Sequence, residues 1–86
     1  MMTEIKLLFP ERLRRARHLR GLTLTALAER AGMTAPSISA YERGTKDPCL
    51  SYAVALAEAL QVPVSWLFAY ETEQKNTGAE KMPWEE

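Results

Sequence analysis

The sequence predicts an all-α domain, a compact bundle of five helices. Three observations carry that expectation. Apolar residues recur at three- and four-residue spacing through most of the stretch from Phe9 to Tyr70, which is the period of a helix face and not the alternation of a strand. Threonine or proline opens several of these stretches and glycine closes them, where helix ends need an acceptor or a left-handed residue. No internal repeat or strand-rich run interrupts the pattern. With 86 residues the chain has the length of one small domain.

The first helix is expected to begin near Pro10, since proline is tolerated in a first turn and Glu11 suits the positive end of the helix dipole, and to end near Gly21. Phe9, Leu13, Ala16 and Arg17 fall on one stripe. Arg12, Arg14, Arg15 and His18 lie elsewhere and give a basic outer face. Thr23 reads as the N-cap of a second helix, "LTALAERA", in which Leu24, Leu27, Ala28 and Ala31 repeat at i, i+3, i+4 and i+7 before Gly32 stops it. Thr34 caps a third helix, residues 35–43, with Pro36 in its first turn, Ile38 and Tyr41 facing inward and Gly44 at its end. Between the second and third helices lies a turn of about three to four residues, the helix-turn-helix spacing. After the loop "GTKDPC" a fourth helix carries the stripe Leu50, Ala53, Val54, Ala57 and Leu60. A fifth, short one is expected over Val64 to Tyr70 after Pro63. The organisation expected is an N-terminal arm (1–9), a helical domain (10–70) and a flexible polar tail (71–86).

Composition excludes several classes of function. A single cysteine, Cys49, rules out an intrachain disulfide framework, and with only His18 beside it no four-ligand zinc site of Cys and His can form. Neither a metal nor another cofactor is implied. The apolar run Leu7–Phe9 is too short for a signal-peptide core, and no stretch approaches a membrane span, so a soluble, cytoplasmic protein is expected. Formal net charge is zero, but residues 1–49 hold nine Lys/Arg against five Asp/Glu while residues 50–86 hold two against six. The basic half is the one suited to a polyanion.

"RLRRARHLRGLTLTALAERAGMTAPSISAYERGTKDPCLSYAVALAEALQVPVSWLF", residues 12–68, resembles the Cro/C1-type helix-turn-helix domain of phage repressors and bacterial regulators, the XRE family. Its diagnostic pieces are "GLT", "LAERAGMT", "SISAYERG" and "LAEALQVPVSWLF", in that order and at the family's spacing. The resemblance implies the five-helix bundle of phage repressor DNA-binding domains, with the third helix in the major groove and the second crossing the backbone. By the same resemblance Ala35, Pro36 and Ala40 hold positions that touch base edges. Thr34 and Ser37 hold positions that meet phosphate. Arg17 and Glu42 match a pair that joins helices one and three in some phage repressors.

The sequence also departs from the family. Base-reading positions often carry Gln, Asn, Arg or Lys, whose bidentate hydrogen bonds discriminate bases by about 1–3 kcal/mol per pair. Alanine and proline offer methyl and methylene groups instead, Ser39 a hydroxyl of little preference, and Arg43 the one long donor of this helix. The family's usual glutamine at the start of the second helix is Leu24 here. Phosphate contact is left to Arg43 and Lys46 around the following loop, and to Arg12, Arg14 and Arg15 on helix one. Binding is therefore expected to be salt-sensitive and to lean on indirect readout.

Among the other residues, His18 reads as surface and Cys49 as a weak cap or small buried side chain where the family often has Ser or Thr. Trp66, Phe68 and Tyr70 either close the core or form a dimer or partner surface, since family members often dimerise through the fifth-helix region. Trp84 is a docking motif or packs back onto the domain. The resulting expectation is a non-enzymatic, nucleoid-associated DNA-binding transcriptional regulator, a repressor, acting as a homodimer on a palindromic operator of double-stranded DNA. The alternative is a protein-interaction module such as an antitoxin or adaptor, using the C-terminal region.

Overall fold

The computed structural model describes residues 4–72 and the backbone of residues 76–77. Five helices follow one another, α1 (Phe9–Leu19), α2 (Leu24–Ala31), α3 (Ala35–Arg43), α4 (Leu50–Leu60) and α5 (Val64–Leu67). The expected caps are in place. Thr23 Oγ1 accepts from the Ala26 amide at 3.0 Å, and Thr34 Oγ1 accepts from the Ser37 amide at 3.3 Å. Gly32 and Gly44 close α2 and α3 at φ +72° and +73°, where a β-carbon would be strained.

The core gathers one stripe from each helix. Phe9, Leu13 and Ala16 of α1 meet Leu27 and Ala28 of α2, Ile38 and Tyr41 of α3, and Trp66 and Leu67 of α5. Phe9 is the hinge of the aromatic part, stacked on Phe68 at 4.4 Å between ring centroids and tilted against Tyr41 at 6.0 Å. Each large apolar side chain so buried contributes about 1.5–3 kcal/mol. Helix α4 turns inward Ala53, Ala57 and Leu60 of the expected stripe, with Leu56 in place of Leu50 and Val54. Its buried positions are Ala53, Leu56, Ala57 and Leu60, whereas Leu50 is 78% exposed and Val54 is also exposed. Leu50 belongs to the first turn, beyond the reach of the neighbouring helices, and the i, i+3, i+4, i+7 set starts at Ala53 instead.

Strands were not expected, and three are present among the described residues. β1 (Ile5–Leu7), β2 (Tyr70–Thr72) and β3 (Asn76–Thr77) form an antiparallel sheet in that order. Ile5 pairs with Thr72, Lys6 with Glu71 and Leu7 with Tyr70, and the Leu8 amide extends the ladder to the Ala69 carbonyl at 3.0 Å. β2 in turn pairs Tyr70 with Thr77 and Glu71 with Asn76. Segments assigned to an arm and to the start of a tail therefore hold each other. Strands of two or three residues show no readable alternation, and the pairing of β1 with β2 joins residues far apart in sequence. Forming β2 also ends α5 at Leu67, so the fifth helix is a single turn and Tyr70 lies in a strand. Trp84 lies outside the described residues.

Arginines finish helix ends that the sequence leaves open. Arg20 donates from Nε to the Leu60 carbonyl at 2.8 Å and from Nη2 to that of Gln61 at 3.2 Å, satisfying acceptors at the C-terminus of α4. Gln61 itself stands at φ +59°, the left-handed conformation that glycine fills in the earlier helices.

Candidate functional site

The surface made by α2, α3 and their connection is built from a short, well-determined turn. Gly32, Met33 and Thr34 alone separate the two helices, and the Met33 amide returns to the Ala28 carbonyl at 2.9 Å. Thr34 then starts α3, its hydroxyl donating to Ser37 Oγ at 2.9 Å while accepting from the Ser37 amide. At the far end the Thr45 amide and hydroxyl both donate to the Ala40 carbonyl, at 3.0 and 3.2 Å. Both ends of α3 are thereby fixed by local hydrogen bonds.

Orientation comes from α1. Arg17 Nε donates to Glu42 Oε2 at 2.7 Å and Nη2 to Oε1 at 3.0 Å, a two-point contact between side chains only 11% and 8% exposed. The third nitrogen, Nη1, donates to the Leu22 carbonyl at 2.9 Å. One guanidinium therefore ties α1, the α1–α2 loop and α3. Its pKa is raised chiefly by the hydrogen bond to Glu42, with burial opposing and the charge of Glu42 adding, so it stays cationic.

With Ile38 and Tyr41 in the core and Glu42 held by Arg17, the remaining positions of α3 are exposed or half-buried. Pro36 and Arg43 are exposed, and Ala35, Ser37, Ser39 and Ala40 are half-buried, Ala35 packing against the core. Arg43 Nε donates to the Ser39 carbonyl one turn back, at 3.3 Å. Lys46 is exposed in the loop that follows. The eight residues read as DNA-contacting thus all lie on α3 or within three residues of its ends. Leu24, in place of a polar residue, packs partly against the core.

Not every arginine read as a phosphate contact faces solvent. The Arg12 guanidinium lies over the Trp66 ring, 4.8 Å from its centroid, and Nη1 donates to the Trp66 carbonyl at 2.6 Å. Its work is structural, and no local pattern announces it, because the partner is 54 residues away. Arg14 and Arg15 line an open cleft of about 430 Å³ together with Lys6, Glu11, His18 and Glu71. Lys6 stands 3.7 Å from Glu11 there, so the lining is mixed in charge.

The aromatic residues with two readings, core closure or a partner surface, divide by burial. Trp66 is fully buried under Arg12, Phe68 is half-buried on Phe9, and Tyr70 is half-buried in β2. Core closure accounts for the first two, because so small a domain has few large side chains to fill its centre. Cys49 is corrected as well. It is exposed, makes no capping hydrogen bond, and rests against Ser51 Oγ at 3.4 Å. That hydroxyl, then the Tyr52 amide, holds the thiol below its usual range. Among the described residues no cluster of His, Cys, Asp and Glu suited to a metal is found, and no helix is long and apolar enough to cross a membrane.

Residues 13–67 match the profile of the helix-turn-helix family HTH_3. An uncharacterised HTH-type transcriptional regulator of Bacillus subtilis, YqaE, is 29% identical over 68 residues, which is 79% of this chain and 59% of that protein. The chain therefore spans well under two thirds of the length of that relative. Among solved structures, the restriction-modification controller protein C.AhdI from Aeromonas hydrophila is similar at a TM-score of 0.67 and 33% identity, over 70% of this chain and 91% of that one. The P22 c2 repressor, solved in complex with a synthetic operator, gives a TM-score of 0.68 and 30% identity over 70% and 91% of the two chains.

Proposed function

The chain belongs to the helix-turn-helix family HTH_3, and from that membership we propose that it is a DNA-binding transcriptional regulator, a repressor acting by occupancy of its operator. The observation that carries this reading is the mounting of α3. Capped by Thr34, pinned at Glu42 and buried along Ile38 and Tyr41, the helix leaves Pro36, Ser39, Ala40 and Arg43 outward on a rigid support. A helix so presented fits the major groove. Arg43 and Lys46, with Thr34 and Ser37 at the N-terminal end, serve the flanking phosphates. The protein is a regulator and not an enzyme.

It acts in the cytoplasm, at the nucleoid, as a homodimer on a palindromic site, with the two α3 helices about 34 Å apart. The exposed apolar residues that support self-association are Val64 of α5 and, one turn apart on α4, Leu50 and Val54. Trp66 is replaced by these as a candidate contact.

Selection from random duplexes, repeated at two salt concentrations, tests the proposal. Enrichment of a palindrome with affinity that falls as salt rises is the expected result. Absence of binding at low salt by a folded dimer would overturn it and favour a protein-interaction module.

A further inference from the structure

We propose that the cleft between α1 and the small sheet is the docking site of the chain's own acidic segment, residues 78–86, with Trp84, Glu85 and Glu86 held by Arg14 and Arg15. The inference goes beyond the DNA-binding function proposed above and does not depend on it.

Glu11, Arg14, Arg15 and His18 stand at i, i+3, i+4 and i+7, one exposed stripe along α1. This stripe is one wall of the cleft of about 430 Å³, and Lys6 of β1 with Glu71 of β2 forms the other. Among the lining residues Lys and Arg outnumber Glu four to two. Arg12 is committed to Trp66 and Lys6 stands beside Glu11, so the excess of positive charge centres on Arg14 and Arg15. An open, polar cleft of that size and sign suits a short acidic peptide.

The segment "GAEKMPWEE" has that chemistry. It holds three Glu against one Lys, and it sets an indole directly before two carboxylates. A guanidinium binds carboxylate through paired donors and lies flat on an indole, so two neighbouring arginines can take up both kinds of group. The sheet also delivers the segment to the right end of the molecule. β1 and β3 are both antiparallel to β2 and therefore run the same way, and Tyr70 pairs with Leu7 on one side and Thr77 on the other. Residue 78 thus leaves the sheet where β1 leads into α1, two strand spacings or about 10 Å away. Arg14 and Arg15 lie a further five and six residues along α1 from Phe9, about 8–9 Å. Nine residues reach up to about 30 Å, so Glu85 and Glu86 arrive without unpairing β3. Docked there, the segment occupies Arg14 and Arg15 within the chain, leaving phosphate contact to Arg43 and Lys46.

Acrylamide quenching of tryptophan fluorescence in the full chain tests this. The chain has two tryptophans, and Trp66 is fully buried, so quenching reports Trp84, with Trp84→Phe giving the Trp66 baseline. In the parent Trp84 should be quenched well below its level in the urea-unfolded chain. Arg14→Gln/Arg15→Gln should lower the ratio of docked to undocked chains about tenfold, the value of two exposed ion pairs and one cation–π contact. Glu85→Gln/Glu86→Gln, which touches no helix, should raise the quenching in the same direction. Arg14→Glu/Arg15→Glu combined with Glu85→Arg/Glu86→Arg should restore protection. Quenching of Trp84 in the folded parent equal to that in urea overturns the inference. Protection unchanged in both glutamine variants overturns the assignment to this cleft, and protection that grows with protein concentration overturns docking within one chain.

Discussion

Replacing Arg17 by methionine keeps the bulk of the side chain and removes its charge and its donors. Three hydrogen bonds go with it, two to Glu42 and one to the Leu22 carbonyl, of 2.7, 3.0 and 2.9 Å. The Glu42 carboxylate, 8% exposed, is left without its partner. Breaking one side of a buried pair costs about 3–5 kcal/mol. The lower end applies here, because Arg17 Nη2 also reaches the exposed His18 ring at 3.1 Å, so water borders the pair on that side. A loss of about 3 kcal/mol corresponds to a fall in thermal midpoint of roughly 12–24 °C for a domain of this size. Arg17→Met/Glu42→Leu should recover most of that, since an apolar replacement of the whole pair is often neutral. Urea titration followed by far-UV circular dichroism measures all three proteins. With its raised pKa the arginine contributes fully below its unfolded value and loses that contribution only as pH rises through the folded one, far into alkali, so the single-variant deficit should not depend on Arg17 ionisation near neutrality. A single variant within about 0.5 kcal/mol of the parent, no more than a surface pair contributes, would refute the reasoning. So would a double variant no more stable than the single one.

Lys46→Ala and Arg43→Ala should each reduce the slope of log affinity against log salt by about 0.9, whereas Arg12→Ala should leave the slope unchanged and lower stability by about 2 kcal/mol, because its guanidinium is committed to Trp66. Fluorescence anisotropy at four salt concentrations separates the two kinds of arginine. The Tyr41 phenol is held above its usual 10.0 by burial first and by the charges of Cys49 and Tyr52 next. An unfolded chain ionises at the ordinary value, so stability is intact below it and falls as pH rises through the folded value, and Tyr41→Phe should flatten urea midpoints measured from pH 8 to 11. Cys49→Thr should raise stability by about 0.5–1 kcal/mol, since the backbone at this N-cap is already extended and the thiol does not cap. An unchanged thermal midpoint would count against that.

How much of this was legible in the sequence depends on the range of the interaction. Caps, glycine stops and the stripes of α1 to α3 are local, and Thr23, Gly32, Thr34, Ile38 and Tyr41 stand where spacing puts them. The Arg17–Glu42 contact came from resemblance, because nothing in local periodicity joins residues 25 apart. Contacts made by Arg12 with Trp66, and by Arg20 with the end of α4, had no such guide. In a run of five arginines and a histidine within two turns and a half, charge alone cannot separate a helix cap from a phosphate contact. Leu50 shows the complementary limit. Its spacing fits the apolar stripe of α4, but a first-turn residue is buried only if another element lies beyond it.

The small sheet has a bearing on anything attached to this domain. Ile5 lies across from Thr72, so the segments leading into and out of the five helices run side by side. For a builder of fusions the two attachment points are almost one address. A cargo joined ahead of β1 or directly after β2 leaves the domain from the same corner, and moving it from one side to the other changes its chain polarity far more than its position relative to α3.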